Sequence, residues 1–360
     1  FVSKAVQASW LIISFSLIKT VSAWVTMTYK RAKVDSVTSL KRIGTHSGTF
    51  QADEALGVWM LRQVSDYRNS EVVRSRSPDV LKDLDIVLDV GGTYDHSIRR
   101  YDHHQRGYDE YFEPGRCTKL SASGLIYRHY GKEVLKAFYP EISDNDLEWA
   151  YVKIYDSLLE ALDAIDTGVE PADSLRYRDG TGLSSRVGRL NPRWNEVDEN
   201  GITPNMDVRF EEASKICGQD FISVMVKVVE SDLPARAVVE QAILDRFNID
   251  QSGEIISFPT GGLPWKGHLY ELEKSHNVEK IIKFVLYVDE SGMWRVQAVT
   301  VEGKAFENRL SLPEAWRGVR DEDLTSITGI PGCRFCHAAG FIGGNDTFEG
   351  ALEMAKTALK

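Results

Sequence analysis

The stretch Leu84-Asp85-Ile86-Val87-Leu88-Asp89-Val90-Gly91-Gly92 decides the fold. Its aliphatic run, ended by two glycines, has the continuous apolar character of a strand buried on both faces. Such strands lie in parallel sheets covered by helices, and the flanking sequence supplies them. Upstream, a short run ending at Ile43 leads through a loop over 44–50 into a helix over 52–64, with Leu56, Trp59, Met60 and Val64 at helical spacing. Downstream, another short strand leads into Tyr101-Asp102. Helices are then expected over 120–130 and 149–165, the second with Val152, Tyr155, Leu159, Leu162 and Ile165 on one side. The expectation is an α/β domain with a largely parallel sheet.

Beyond it, 207–230 and 233–247 read as two helices joined at Ser231-Asp232. The texture then turns to strands: 280–289 and 293–301 flank Glu290-Ser291-Gly292, a hairpin signal, and a Gly-rich stretch over 330–344 precedes a helix over 347–359. This predicts a leader over 1–36, an α/β domain over 37–200, a helical linker over 201–250 and a smaller α+β domain over 251–360.

Composition sets outer bounds. A chain of 360 residues, 42% hydrophobic and 27% charged, is too long for one ordinary core and has a globular balance, which excludes disordered, collagen-like and multi-span membrane classes. A net charge of −10 argues against coating nucleic acid through a broad basic surface, so a nucleic-acid partner must be gripped locally. Four cysteines fit a reducing compartment better than a disulfide scaffold. Before Asp35 there is no acidic residue, while Lys4, Lys19, Lys30, Arg31 and Lys33 contribute +5, leaving −15 for the rest. That leader reads as a mitochondrial transit peptide, with a secretory signal ending at Val21-Ser22-Ala23 and a leader without an address as rivals. Its apolar run from Trp10 to Ile18 is too short for stable membrane insertion. Met27 offers a start for a cytoplasmic form.

Potential metal ligands gather at the ends of the expected strands. His46, with Asp53 and Glu54 shortly after it, follows the first strand; Asp89 ends the second; Asp102-His103-His104 follows the third; Asp166 ends a long helix. In open α/β sheets, ligands bind at the carboxyl ends of the strands, so these residues can converge. Singly, each has an ordinary reading as a cap, turn or surface residue; it is their joint placement that points to a site. Imidazoles and carboxylates without thiolates suit Mn²⁺ or Mg²⁺. Asp53, Asp89 and Asp166 with a bridging hydroxide would balance two divalent cations, an arrangement suited to phosphoester hydrolysis.

The motifs Thr45-His46-Ser47-Gly48-Thr49-Phe50, Ala52-Asp53-Glu54-Ala55-Leu56, Asp89-Val90-Gly91-Gly92, Tyr101-Asp102-His103-His104-Gln105-Arg106, Thr118-Lys119-Leu120-Ser121, Leu190-Asn191-Pro192-Arg193-Trp194-Asn195 and Phe341-Ile342-Gly343-Gly344 resemble those of the melanocyte-proliferating-gene-one exonucleases, a branch of the DHH phosphoesterase superfamily. The likeness runs from about residue 41 to the C-terminus. It implies a DHH-type catalytic domain followed by a substrate-binding domain. The implied activity is metal-dependent 3′-5′ RNA exonucleolysis in mitochondria and the nucleus or nucleolus, acting on single-stranded RNA 3′ ends.

Carried over by motif, His46, Asp53, Asp89, His103 and Asp166 would be metal ligands. His104 would contact phosphate, Asp102 would orient His103, and Asp163 is the fallback for Asp166. Arg106 and Lys119 would neighbour the phosphate, while His337, Gly343 and Gly344 would belong to a Gly-rich substrate loop. The chain departs from the family at Gln51, where members carry a second histidine, so one metal position is expected to be weakened. The alternatives are therefore hydrolysis of short oligonucleotides or other small phospho-substrates, or an impaired RNA-binding member. Cys333-Arg334-Phe335-Cys336-His337 matches the haem-attachment pattern C-x-x-C-H, but its flanks belong to the exonuclease-like motif and no haem is expected.

Overall fold

The computed structural model describes residues 40–360; the expected leader and Met27 lie outside the described residues. Residues Lys41–Lys360 form one compact unit built on two five-stranded sheets. The architecture is mixed α/β, as the strand and helix patterns require.

The first sheet contains β1 (Arg42–Thr45), β2 (Glu71–Arg74), β3 (Ile86–Leu88), β4 (Tyr94–Asp95) and β5 (Arg100–Tyr101), in the order β2-β1-β3-β5-β4. The pairs β2–β1, β1–β3 and β3–β5 are parallel, and only β4 runs antiparallel. The deciding run is shorter than its apolar stretch because Asp89 takes a left-handed backbone (φ 57°), which ends the strand before Val90.

Helix α1 (Ala52–Leu61) packs against α2 (Ala122–Phe138) and α6 (Met206–Val226), burying Leu56, Leu125, Tyr127 and Phe221 in the first core. Helix α2 runs past Gly131, where the pattern suggests a stop, because a Cβ there would stand 2.7 Å from the Tyr127 ring and 2.9 Å from that of Tyr151. Close packing, rather than helix termination, explains this glycine. Helix α3 (Asp144–Ile154) continues through a π turn (Tyr155–Leu159) into α4 (Glu160–Thr167), and α5 (Leu183–Gly188) follows. Instead of breaking at Ser231-Asp232, α6 passes through a second π turn (Lys227–Asp232) directly into α7 (Leu233–Leu244), whose first turn accommodates Pro234.

The second sheet has the order β6-β7-β8-β10-β9, formed by Ile255–Ser257, Phe284–Val288, Trp294–Ala298, Ile342–Asn345 and Cys333–Cys336 respectively. Strands β7 and β8 make the expected hairpin, in the register Phe284↔Ala298. Helix α7 and α8 (Trp265–Ser275) cover one face, with Val239, Ile256 and Leu269 in their core, while α9 (Phe348–Ala358) places Met354 in the core of the other face. Cys333 and Cys336 are buried there, as interior side chains of β9 and its end. No helix among the described residues is long and apolar enough to cross a membrane.

Candidate metal centre

The carboxyl ends of β1, β3 and β5 open on the same edge of the first sheet, and each carries its loop residues into one cluster. His46 leaves β1, and its Nε2 lies 3.2 Å from Asp89 Oδ2 and 3.1 Å from Glu54 Oε1. Asp89 leaves β3 in its left-handed conformation; for a non-glycine residue this backbone is uncommon and is a form of strain concentrated at functional sites. His103 follows β5, with Nε2 2.7 Å from Asp166 Oδ2 and Nδ1 3.7 Å from Asp89 Oδ1. Asp53 projects from the first turn of α1. Ligand atoms of Asp53, Asp89, His103 and Asp166 all lie within 4.8 Å of one another, and His46, Glu54 and Asp89 form an overlapping group.

The electrostatics fit a cation. Among the described residues neither buried Asp53 oxygen has a hydrogen-bond partner, an arrangement that is costly unless positive charge or a proton compensates it. Burial, followed by the charges of Asp89, Glu54 and Asp166, pushes the Asp53 carboxyl well above the usual carboxylate range. Burial raises Asp89 as well, against the opposing pull of His46. Burial alone would lower the His46 imidazole, but its contacts with Asp89 and Glu54 prevail and push it up to about 10. His103 moves upward in the same way: burial opposes the shift, and the Asp166 contact overrides it. Unmetallated, the cluster favours bound protons; hard divalent cations with oxygen and imidazole ligands could replace them.

The loop carrying His46 and Asp53 is clamped from two sides. Asn191 Nδ2 donates to the Phe50 carbonyl at 2.8 Å, and its Oδ1 accepts from the Phe50 N–H at 3.0 Å. Arg74, nearly buried, donates to the Gly48 carbonyl at 2.5 Å and places its guanidinium over the Phe50 and Phe210 rings, 5.4 and 4.9 Å from their centroids. Gln51 precedes α1; its N–H donates to Glu54 Oε1 at 2.8 Å, closing the first turn. Its side chain stands at the rim of the two cavities beside the cluster.

Asp102 orients His104, not His103 as the motif implies. Its Oδ1 lies 2.8 Å from His104 Nδ1 and accepts the His104 backbone N–H at 3.0 Å, while Oδ2 accepts the Gly92 N–H at 2.5 Å. Burial would raise the Asp102 carboxyl, but these backbone donors and the imidazole outweigh it and hold it below the usual range. The reason is local: the turn from Asp102 brings the backbone of His104, rather than that of His103, under its carboxylate. The His104 side chain is 60% exposed and lines a cavity beside the cluster.

Asp163 and Asp166 separate clearly. Asp163 is fully buried and accepts from the N–H and Oγ of Ser121, the Gly124 N–H and the Tyr155 hydroxyl, at 2.8–3.1 Å. It anchors the start of α2, and Asp166 belongs to the cluster. Lys119 donates to the Tyr108 carbonyl at 2.7 Å and pairs with Asp109 at 3.2 Å, and so braces its own loop. Arg106 is exposed on the turn after His104. His337 is exposed at the end of β9, while Gly343 and Gly344 are buried within β10, paired with both β8 and β9. A Cβ on Gly344 would come within 2.6 Å of the Phe335 ring.

Glu54 is legible in the sequence only as a potential ligand beside Asp53, without a distinct role, and one residue of the site escapes a reading of the sequence altogether. Arg76, just past β2, places Nη2 3.1 Å from His46 Nδ1, donates from Nε to the Ser47 carbonyl at 3.0 Å, and lines a cavity of about 430 Å³ with Asp89, Gly91 and His104. No sequence pattern marks it.

An acid- and histidine-lined pocket at the carboxyl edge of a parallel sheet makes this an α/β protein with a candidate centre for divalent metal. Comparison of the chain with known proteins identifies its lineage. Residues 42–359 match the family model MYG1_exonuc, described as an uncharacterised protein family (UPF0160), and the chain belongs to that family. It is 46% identical over 326 residues to the MYG1 exonuclease of Rattus norvegicus, covering 88% of this chain and 84% of the relative. It is 45% identical to the Homo sapiens MYG1 exonuclease (88% and 85% covered) and 45% identical to the MYG1 protein of Dictyostelium discoideum (87% and 94% covered). Among solved structures, RecJ from Thermus thermophilus in complex with Mn²⁺ aligns with 16% identity and a TM-score of 0.21, over 89% of this chain and 52% of that one; so distant an overlap carries no argument.

Proposed function

We propose that the protein is a DHH-type phosphodiesterase that uses two divalent cations, Mn²⁺ or Mg²⁺, to release nucleotides from the 3′ ends of single-stranded RNA. The observation that carries this reading is the convergence of Asp53, Asp89, His103 and Asp166, with neither Asp53 oxygen partnered among the described residues. The exonuclease names of its relatives favour the same chemistry.

His46, Asp53, Asp89, His103 and Asp166 would hold the cations, with Glu54 against His46. When bound, such cations supply positive charge to phosphoryl oxygens and lower the pKa of water. The protein's own contribution lies beside them. Arg76 faces the same cavity as His104 and offers a fixed guanidinium to a phosphate. Asp102, held ionised by the Gly92 and His104 N–H groups, fixes the His104 ring through Nδ1, which leaves Nε2 to hydrogen-bond a phosphate oxygen or exchange a proton with a leaving oxygen. Asn191 and Arg74 keep the His46–Asp53 loop in place, so the ligands need not be gathered when substrate arrives.

The test is Mn²⁺-dependent trimming of 5′-labelled single-stranded RNA. Stepwise shortening that stops with EDTA and is lost in His103→Ala supports the reading; no shortening with any divalent cation contradicts it. Cavities of about 430 and 400 Å³ beside the cluster match single small-ligand sites, favouring short oligonucleotides as a second substrate class. Comparing rates on dinucleotides and longer RNA separates the two. A mitochondrial, nuclear or nucleolar address is likewise a proposal, tested by imaging a full-chain fluorescent fusion.

A further inference from the structure

The cluster lies on a ridge between two cavities of unlike chemistry. They share Thr49 and Gln51, but one contains Asp89 with Arg76 and His104, while the other contains Asp53 and Asp166. The second, of about 400 Å³, is walled by Phe50 and Ala52 at the start of α1, by Leu162 and Ile165 on α4, and by Ser184 and Gly188 on α5. Leu162 is buried, yet Ile165 is 63% exposed and lines the same cavity as Asp166. Among the described residues Ile165 thus presents an apolar side chain to a cavity that the cluster also lines, and the rest of that lining offers both an apolar wall and hydroxyl groups.

We propose that this second cavity seats the terminal nucleoside of the substrate, its base against Leu162 and Ile165 and its sugar toward Ser184 and Ser185. The phosphate attached to that nucleoside would lie across the carboxylate ridge, with Arg76 and His104 on its far side. The inference rests on the phosphodiesterase reading and adds to it the place and chemical class of the unit removed. Small-ligand cavities span roughly 300–1,000 Å³, so this one suits one nucleoside rather than a run of stacked bases. Base binding against an apolar wall tolerates any base, because each has a flat π-face.

Gly188 supplies a selective probe. A Cβ at this position would meet nothing within 4 Å among the described residues, and its backbone is not left-handed, so a larger side chain can be placed on the cavity wall without displacing the fold. Full-length wild-type protein, Gly188→Leu and Ile165→Asn would be titrated calorimetrically with adenosine 5′-monophosphate, inorganic phosphate and Mn²⁺. The expected result is a loss of about tenfold or more in affinity for the mononucleotide in both variants, with inorganic phosphate and Mn²⁺ affinities within about twofold of wild type. Should Gly188→Leu fail to fold, Ile165→Asn, at an exposed position, carries the same readout.

If wild type binds phosphate and mononucleotide and both variants match it, the seat lies elsewhere and the inference is overturned, while the phosphodiesterase reading stands. Wild-type protein that binds mononucleotide no more tightly than phosphate has no nucleoside seat, which also overturns it. Wild-type protein that binds Mn²⁺ but neither phosphate nor mononucleotide, and cleaves no phosphodiester, overturns the underlying reading itself.

Discussion

Replacing Asn191 by alanine tests whether the metal-binding loop is held by the distant segment 190–195. The Asn191 side chain satisfies both backbone groups of Phe50, at 2.8 and 3.0 Å, across 141 residues of chain, and Phe50 is 1% exposed. Each hydrogen bond contributes about 1 kcal/mol net, and buried backbone groups left unpaired add a desolvation cost, so the truncation should destabilise by about 2–4 kcal/mol. At roughly 2 °C per kcal/mol for a chain of this length, thermal unfolding should begin about 4–8 °C lower. The loss would also reach the site, because His46, Gln51 and Asp53 flank Phe50. We expect Mn²⁺ affinity to fall about tenfold, a coupling of about 1.4 kcal/mol. Asn191→Asp should do no better: its carboxylate can still accept the Phe50 N–H but turns a second acceptor toward the Phe50 carbonyl. Thermal unfolding followed by circular dichroism, with calorimetric Mn²⁺ titration, reads both effects. An Asn191→Ala protein with an unchanged melting temperature and unchanged Mn²⁺ affinity would show that Asn191 does not hold the loop.

Gln51→His should strengthen Mn²⁺ binding and raise turnover, because an imidazole at the shared rim of the two cavities is a better ligand than an amide oxygen; calorimetry and RNA trimming by both proteins check this. Asp163→Ala should cost about 3 kcal/mol by stranding its buried donors, whereas Asp163→Asn keeps an acceptor for Ser121 and Gly124 and should lose less; urea unfolding distinguishes them. His129, stacked on His96 at 3.9 Å and bonded to the Tyr94 hydroxyl at 2.8 Å, is pushed down to about 4 by burial and by the charges of His96 and Arg128. A depressed imidazole takes up its proton more readily in the unfolded chain, so its contribution to stability should fade as pH drops from about 6.5 toward 4, and His129→Gln should flatten that part of a melting-temperature profile. Arg309→Met alone should destabilise by about 3–5 kcal/mol by leaving Glu273 buried without its two-bond partner, and adding Glu273→Leu should recover much of the loss in the same unfolding assay.

The legible parts of the molecule were those set by local pattern. The apolar run at 84–90 identified β3, and the turn at Glu290-Ser291-Gly292 identified the β7–β8 hairpin. Boundaries failed where tertiary contacts outweighed local signals. Gly131 looked like a helix end, yet the Tyr127 and Tyr151 rings occupy the space its side chain would need. Likewise, Ser231-Asp232 looked like a joint and lies instead in a continuous π turn. In the site, the residues after each parallel strand converge because the sheet places those strand ends together. The choice between Asp163 and Asp166, one helical turn apart, depended on Ser121 and Gly124 at the start of another helix. Arg76 was invisible because only the pairing of β1 with β2 brings it against His46.

In the proposed site, Asp53, Asp89, His103 and Asp166 would surround divalent cations. Crystals of the full chain grown with Mn²⁺, and measured on both sides of the manganese absorption edge, locate those ions directly. Anomalous peaks are expected within coordinating distance of Asp53, Asp89, His103 and Asp166, the peak nearest Gln51 being the weaker, with both peaks lost in Asp89→Asn. Manganese bound only elsewhere, or none at a concentration that supports RNA trimming, would contradict this placement.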